Sequence, residues 1–568
     1  MPNKRQDKQP QEKSEGFLTD FEAFLSAADK LFPASEYLDI VGDFLENFTK
    51  GQYEEAYEQL ASTSPLRQGL SSEAWVAQRR QWNAAAHPAR FRIAFIEDTE
   101  DIEEVEQNLT AAQDALDTPA VEVGWSLQFA ETPLTSQLPE MPVATAILKE
   151  TGRHWFWTRY TLVEEDDTWL IDRMIDEGAN VLNLPKTEIE QRLDTIAELA
   201  SQRLSALEEE ENLEDEEDLD EDLNDEDEDE DLDDEGFMDT LLEMEEAFRV
   251  ITKGIHYNDA LIAQSPNTDP EPYEQNVKQA MVTNDMERAA VYLQQLAKYF
   301  PEQRSHAQEQ LGLAYYSIAQ AYEEENEEEN EEENQGQKDE SQRFKDLAEK
   351  TLRATIDMDK SISAYLALAK LVFAQDRFDE AKTILQEAQS LSSDQTQHAD
   401  IEVGLGLIAK KQENSEQALQ HFQRVIELNP DYEALWYNIG VLQAKLGRYE
   451  EAIANLKRNI EASPEQTAAY VELAAIYLST QNNPTMARQI LQEGLQWNAE
   501  APDLLAQLSL VYMQDNDLRT AYKYLQQAEE IDDKHEIVQK ARARYNELRA
   551  QQRATNKPQQ HKQQKKKK

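Results

Sequence analysis

Histidine is the first residue type to consider for catalysis, because its imidazole titrates near neutral pH and can both accept and donate a proton. His154 stands beside Trp155, and His87 precedes a proline. Acid–base catalysis would need such a histidine to be paired with a second titratable group in a pocket. A lone histidine on a strand is more often structural or exposed, so we predict no catalytic residue and no enzymatic activity.

Metal binding is the second kind of chemistry that residue spacing suggests. Asp220, Asp222 and Asn224 have the first three spacings of a calcium-binding EF-hand loop. However, Asp225 stands where that loop needs a glycine, and no helix pattern flanks the segment. The chain has no cysteine, which excludes disulfides and thiolate zinc sites, and it has no phosphate-binding glycine motif. The sequence therefore predicts no metal site and no cofactor.

The net charge of the chain limits the classes of molecule that it is expected to bind. The 568 residues carry a formal net charge of −60, and so acidic a surface repels nucleic acid and anionic membranes. No apolar run approaches the roughly 18 residues of a membrane span. Residues 1–16 are polar and lack the apolar stretch of a secretory signal. We expect no nucleic acid on the body of the protein, no membrane and a cytoplasmic location.

Charge runs also divide the chain. Residues 208–235 hold 22 acidic residues in 28 positions and no lysine or arginine. Such a block repels itself and stays extended, so it predicts a disordered linker over 206–236. Basic disordered tails are predicted over 1–16 and 551–568, and phenylalanines at helical spacing predict an amphipathic helix over 17–33. With the linker between them, the parts on either side are expected to move independently.

The stretch before the linker reads as a separate domain. Six of the eight tryptophans fall between residues 36 and 185. Helical patterns come first, and a hairpin turn at Asp166–Asp167 then joins the last two of a set of strand-like runs. The runs are Phe91 to Ile96, Val121 to Phe129, Ala144 to Leu148, Trp155 to Val163 and Thr168 to Met174.

This order of helices and strands resembles the nuclear transport factor 2-like superfamily. The opening FLENFTKGQYEEAYEQLAS fits that superfamily's first helices, and TWLIDRMID fits its last strand. The resemblance implies a cone-shaped α+β domain over 36–205, with a trailing helix. It leaves two roles open for that domain. One is an isomerase-like or dehydratase-like pocket for a small molecule, and the other is dimerisation or contact with a partner.

After the linker, the sequence repeats itself every 34 residues. Gly406 recurs as Gly440, Ala418 as Ala452, and Pro430 as Pro464. A fixed period of this length is typical of a stacked helical solenoid. The copy ALWYNIGVLQAKLGRYEEAIANLKRNIEASPEQ resembles the tetratricopeptide repeat. It does so through Trp436, Ile439, Gly440, Tyr449, Ala452, Leu456 and Pro464, and it departs from the motif at Gln443 and Asn459.

The repeat has a physical basis. The small residues Gly440 and Ala452 let two helices approach closely, Gly447 supplies the turn, and Pro464 ends the second helix. Small and large residues recurring in this way predict about seven helix–turn–helix repeats in a mainly α chain. The predicted solenoid covers 237–550, with an acidic insertion at 323–340 in one inter-helix turn.

The resemblance to tetratricopeptide repeats implies function by protein binding. In that family the first helices line a concave groove, so we expect an apolar or amphipathic segment of a protein or peptide to bind there. Some members of the family bind the C-terminal carboxylates of a partner with lysine, arginine and asparagine side chains on the first helices. We do not expect such a site here, because only Asn438 matches one of its positions. One alternative is that the N-terminal domain binds a small molecule or acts as an isomerase or dehydratase, and that the repeats recruit it to its place of action. The second alternative is a chaperone that binds client proteins. The lining positions in this sequence are Leu313, Tyr316, Leu366, Lys370, Phe373, Val403, Leu407, Lys410, Tyr437, Val441, Val471, Leu478, Leu510 and Met513.

Overall fold

The computed structural model describes residues 36–99, 118–129, 141–217, 234–328, 334–430, 432 and 435–564. The chain divides into two compact units, Met1–Thr351 and Leu352–Lys568. The predicted helix over 17–33 lies outside the described residues.

The first unit begins with helices and continues with a sheet, in the predicted order. Every strand-like run of the sequence is a strand, which confirms that prediction. The helices are α1 (Glu36–Lys50), α2 (Tyr53–Glu58) and α3 (Ser72–Ala86), and the strands are β1 (Pro88–Asp98), β2 (Ala120–Phe129), β3 (Ala146–Leu148), β4 (Arg153–Glu165) and β5 (Thr168–Asp176).

Strand β4 is the centre of this antiparallel sheet. It pairs with β2 along one edge and with β3 and then β5 along the other, while β1 pairs with β2. The hairpin between β4 and β5 turns at Asp166 and Asp167, whose φ angles are 51° and 62°. Two successive residues with left-handed backbone angles form a turn whose twist fits the right-handed twist of the strands that it joins. The predicted turn is therefore confirmed.

One face of the sheet packs against α1 to α3. Trp75, Trp82, Trp125, Phe156 and Tyr160 are all buried in this core. The rings of Trp125 and Phe156, on neighbouring strands, lie 4.4 Å apart between centroids. The indole Nε1 of Trp125 donates to Thr158 Oγ1 at 2.9 Å, so its polar edge is satisfied inside the core.

The opposite face of the sheet packs against three helices that come later in the chain, α4 (Glu177–Leu182), α5 (Lys186–Glu217) and α6 (Asp234–Gln264). Phe95, Trp157, Ile196, Val250 and Tyr257 share this second core. Helix α6, which the sequence assigned to the solenoid, therefore completes a core that the sheet begins. The sequence placed the sheet and α6 in separate parts that were expected to move independently, whereas the structure puts them in one core of the first unit.

Charged side chains lie in this second core as well. Lys253 of α6 is fully buried and forms ion pairs with Glu97 and with Glu122, at 3.4 Å in the second case. Arg159 on β4 pairs with Glu177 at 2.7 Å. Removing one member of such a buried pair leaves an uncompensated charge and costs about 3–5 kcal/mol.

The next helices form antiparallel pairs. They are α7 (Glu271–Val282), α8 (Met286–Tyr299), α9 (Arg304–Glu328) and α10 (Asn334–Asp359). Helix α8 also contacts the sheet, because Trp155 Nε1 donates to Asp285 at its N-cap at 2.7 Å and Glu287 pairs with Arg153. The predicted insertion at 323–340 extends α9 and α10, and only residues 329–333 between them are undescribed.

Both ends of the segment predicted as an acidic linker are helical. Helix α5 continues to Glu217 and α6 begins at Asp234, so only residues 218–233 of the predicted 206–236 linker lie outside the described residues. The last helix likewise runs to Gln564, into the tail predicted from residue 551. Strong acidity alone does not prevent a helix that is already nucleated from continuing.

The second unit is a series of helix pairs. Its helices after α10 are α11 (Ile362–Ala374), α12 (Phe378–Leu391), α13 (Gln395–Lys411), α14 (Ser415–Leu428), α15 (Leu435–Lys445), α16 (Tyr449–Ala462), α17 (Thr467–Gln481), α18 (Pro484–Trp497), α19 (Pro502–Gln514), α20 (Leu518–Ile531) and α21 (Glu536–Gln564).

The predicted repeat positions hold these pairs together. A Cβ atom added to Gly440 would lie 2.8 Å from Leu456 Cγ, so only glycine lets α15 approach α16 this closely. Gly447 has a φ of 78° in the turn between them, and α16 ends at Ala462, just before Pro464. Ala452 and Leu456 are fully buried.

Candidate partner-binding groove

The predicted lining residues of the second unit lie on the first helix of each pair. In α13, Gly406 faces α14, because a Cβ there would meet the Phe422 ring at 2.4 Å. Val403, Leu407 and Lys410 lie along one side of α13, since residues three and four apart share one side of a helix. We call the set on these faces the groove. It comprises Leu366, Lys370 and Phe373 on α11, Val403, Leu407 and Lys410 on α13, Tyr437 and Val441 on α15, Val471 and Leu478 on α17, and Leu510 on α19.

Most apolar side chains of the groove are half-buried. Tyr437, Val471 and Leu478 pack against the core formed by α16 to α19, and Val403 packs against the preceding core. Leu407 is the most open large side chain among them, with 38% of its surface exposed. An accessible apolar patch on a monomer often marks an interaction site.

Three predicted lining residues lie elsewhere. Met513 is only 4% exposed, because α21 packs over it and places Val538 and Ala541 in the same core. Leu313 and Tyr316 lie on α9 of the first unit, where Leu313 is exposed and Tyr316 is buried. The groove of the second unit therefore ends at Leu510.

Polar groups stand at two places along the groove. Lys410 Nζ donates to Asn438 Oδ1 at 2.6 Å, which joins α13 to α15. Partial burial lowers the pKa of Lys410, and the charges of Lys411 and Lys445 lower it further. Glu472 on α17 is half-buried, and burial raises the pKa of its carboxyl.

Lys445 and Glu472 were not among the predicted lining residues. The sequence does contain a signal that could have found them, because Lys445 follows Lys411 by 34 residues and Glu472 follows Asn438 by the same interval. Residues one period apart occupy equivalent places in successive repeats. A comparison of charge at equivalent positions would therefore have singled both out.

The two histidines considered for catalysis are not paired with a carboxylate. His154 is buried between Phe129 and Phe156, with Nδ1 2.9 Å from the carbonyl oxygen of Gly152. Burial lowers the pKa of His154. His87 caps the end of α3 with a left-handed φ of 46°. His154 therefore lies in the sheet, and His87 lies at a helix end.

The EF-hand-like residues 220–225 fall outside the described residues. Within the described ranges, no group of three or more histidines or carboxylates is arranged to hold a metal ion. None of the helices in the described part has both the length and the apolarity needed to cross a bilayer.

Known solved structures resemble parts of the chain at low identity. YrrB, described as a TPR protein with an unusual peptide-binding site, is 19% identical, with 34% of this chain and 97% of that chain covered and a TM-score of 0.28. The C-terminal part of a TPR repeat-containing protein from Cytophaga hutchinsonii is 14% identical, with 48% and 99% covered and a TM-score of 0.36. The Cut9–Hcn1 hetero-tetramer of the APC/C is 14% identical, with 54% and 55% covered and a TM-score of 0.34. No curated protein matches the chain.

Family profiles match part of the second unit. A profile described as tetratricopeptide repeat matches residues 403–467 and 445–504, and a second profile of the same description matches residues 502–535. These ranges run from α13 to α20 and include the helix pairs whose 34-residue period was read from the sequence. Residues 403–535 of this chain are tetratricopeptide repeats.

Proposed function

We propose that the protein is a scaffold that binds other proteins without catalysing a reaction, and that its groove takes an apolar or amphipathic segment of a partner. The observation that carries this proposal is the row of half-buried apolar side chains on successive first helices. Each of the five first helices α11, α13, α15, α17 and α19 contributes at least one of them. A segment laid along the row would remove apolar surface from water, which stabilises by about 25 cal/mol per Å².

The rigidity of the helix pairs supports this proposal. Ala418, Phe422, Ala452 and Leu456, which hold α13 to α16 together, are fully buried. A groove that is fixed before its partner arrives loses little conformational entropy on binding. The groove side chains therefore form a preformed surface.

The first unit also favours binding over catalysis. One place for a small-molecule pocket is the space between α1 to α3 and the sheet, where aromatic rings pack against one another. The centroid of Trp82 lies 5.8 Å from that of Phe48 and 6.0 Å from that of Phe129. Phe44 meets Tyr160 at 5.8 Å in the same layer. In the described residues this space belongs to the hydrophobic core.

The test is partner capture with the full chain as bait, followed by mass spectrometry. The double variant Leu407→Ala, Tyr437→Ala removes two central apolar side chains of the groove. We expect it to weaken binding of the captured partner by about 2 kcal/mol, or about 30-fold in Kd, as hot-spot residues do.

A matched control separates groove binding from general surface stickiness. Leu391→Ala with Tyr449→Ala removes the same residue types from second helices, at positions 43% and 41% exposed. This control should retain the partner with the affinity of the wild type. Equal losses in both double variants, or no loss in either, would contradict the proposal.

A further inference from the structure

The last helix, α21, extends well past the part that packs on the second unit. Val538 and Ala541 are buried in a core there, and among the described side chains of α21, Leu548 is the last that packs against it. The helix nevertheless continues to Gln564, which is about 24 Å further at a rise of about 1.5 Å per residue. We call residues 549–568 the terminal arm.

The terminal arm is basic and contains no acid. Its 20 residues include eight lysines and arginines, whereas the whole chain has 55 of these against 115 aspartates and glutamates. In the packed part of α21, by contrast, every lysine and arginine has an acidic partner. Lys540 pairs with Glu536, Arg542 with Glu529 at 2.5 Å, and Arg544 with Glu547 at 2.6 Å. The positive charge of the arm has no acid within the arm itself to neutralise it.

The arm combines the residue types that bind phosphate groups. Arg549, Arg553 and Lys557 follow one another at intervals of four, so these positions lie along one side of α21 at steps of about 6 Å. Arg549 is exposed. The arm also contains six glutamines and one asparagine, whose amides donate hydrogen bonds to phosphate oxygens in nucleic-acid complexes. A polyanion rich in phosphate is therefore the ligand that the arm fits.

The composition of the arm disfavours a membrane as that polyanion. Helices that bind in a bilayer interface bury residues such as tryptophan, phenylalanine or leucine on one face. The arm has none of these, and its apolar residues are two alanines and one proline. In addition, a flat anionic surface would face the rest of the chain, which holds all 115 acids and is repelled by it.

Charge density favours nucleic acid over an acidic protein. Duplex DNA carries one negative charge per about 1.7 Å of its axis, whereas an extended polypeptide advances about 3.3 Å per residue and carries at most one charge on each. Binding to nucleic acid also releases condensed counterions, and this release supplies affinity. Because charges are screened beyond about 8 Å at physiological salt, the acids of the packed part weaken this attraction least at the far end of the arm.

We propose that the terminal arm binds the phosphate backbone of nucleic acid without selecting a base sequence. The expectation that nucleic acid is repelled applies to the acidic body of the protein, and the arm is the part of the chain with the opposite charge. The groove takes no part in this binding, so the inference does not depend on the proposed function.

The experiment measures binding of the full chain to a short fluorescent DNA duplex by anisotropy, between about 50 mM and 200 mM NaCl. The full chain is used because its own acidic residues then compete for the arm in every measurement. We expect the logarithm of the binding constant to fall linearly with the logarithm of salt concentration, with a slope between about −4 and −7 for the eight cations. Single-stranded DNA and an RNA duplex show which nucleic acid supplies the phosphates.

Matched variants assign the binding to the arm. The arm variant replaces six lysines by glutamine, at Lys557, Lys562, Lys565, Lys566, Lys567 and Lys568. Its control has the same net charge, because it replaces six exposed lysines elsewhere by glutamine, at Lys278, Lys350, Lys411, Lys457, Lys523 and Lys534. At about 50 mM salt we expect the arm variant to bind at least tenfold more weakly than the wild type, with a shallower salt slope, and the control to bind like the wild type.

The outcomes decide the proposal. Binding that the arm variant loses, that the control keeps and that salt weakens supports it. If the wild type binds none of the three nucleic acids at the lowest salt, or if the arm variant and the control bind equally, the inference fails. Vesicles of phosphatidylcholine and phosphatidylserine in equal parts are tested in parallel. Arm-dependent binding to these vesicles without binding to nucleic acid would identify a membrane as the partner and overturn the inference.

Discussion

At the scale of single residues, the first unit contains a buried histidine, His256, whose hydrogen bonds fix its protonation state. His256 is fully buried on α6, with Nδ1 3.1 Å from Arg288 Nη2 and 2.9 Å from Thr145 Oγ1. A guanidinium can only donate hydrogen bonds, so His256 Nδ1 is the acceptor. Asp259 neutralises the arginine through a contact of 3.0 Å. The imidazole is therefore neutral in the folded protein.

This arrangement predicts a loss of stability in mild acid. Burial, followed by the charge of Arg288, holds the pKa of His256 well below its ordinary 6.5. Below about pH 6.5 the unfolded chain binds a proton at this residue that the folded chain does not, so stability falls as pH falls. Between pH 8 and pH 5, the wild type should lose about 2 kcal/mol more than His256→Gln in denaturant-measured free energy of unfolding. Parallel pH profiles for the two proteins would refute this account.

At the scale of elements, the repeat depends on which residue stands where two helices cross. Gly406 faces Phe422, whereas in the next pair Gly440 faces Leu456. The small residue on the first helix and the large one on the second therefore fill one space together. This complementarity could be predicted from the sequence because both members recur at the same period.

The pairing predicts coupled effects of substitution. Gly440→Ala should destabilise the second unit by about 1–3 kcal/mol, because the added methyl overlaps Leu456. Leu456→Ala alone should cost about 2–5 kcal/mol through the cavity it leaves. In urea unfolding of the full chain, the double variant should lose less free energy of unfolding than the two single variants lose in total. The difference should be about 0.5 kcal/mol or more. Strict additivity would show that the two residues do not share this space.

The sequence predicted what depends on local pattern and missed what depends on distant contacts. Alternation and turn residues identified every strand, and the repeat period identified the helix pairs. The pattern of α6 could not reveal that its partner is the sheet, although Lys253 and His256 within an apolar stretch were a signal of unusual burial. Similarly, the repeat pattern gave the position of Met513 on a first helix but not its burial under α21. The sequence of α21 is highly charged, so its pattern does not indicate that the helix packs on Met513.

At the scale of the whole molecule, the first unit is assembled from sequence on both sides of the acidic stretch 218–233. The sheet residues Glu97 and Glu122 form ion pairs with Lys253 on α6. Arg153 of the sheet forms an ion pair with Glu287 on α8. Tyr322 of α9 lies under the guanidinium of Arg90, at 3.7 Å from ring centroid to Cζ. Folding of the sheet and of these helices is therefore expected to be one cooperative event.

Truncation tests this expectation. Residues 36–205 alone would expose Trp157 and leave Glu97 and Glu122 without their lysine, so this fragment should be insoluble or lack fixed tertiary packing. Residues 36–351 keep the described contacts between the sheet and α6 to α9 and should unfold in one transition. Near-ultraviolet circular dichroism and calorimetry distinguish the two states. A fragment 36–205 that is soluble and unfolds cooperatively would show that the second core is dispensable.

The shared core has a consequence for synthesis of the chain on the ribosome. Trp157 emerges well before Lys253 and Arg288, and at about 5–20 residues per second the interval is on the order of ten seconds. During that interval this face of the nascent sheet still lacks α6, which supplies Val250, Lys253 and Tyr257 to the second core. The acidic residues 208–235 are translated within the same interval. Their charge is expected to keep the growing chain soluble until α6 and α8 are available to bury this face of the sheet.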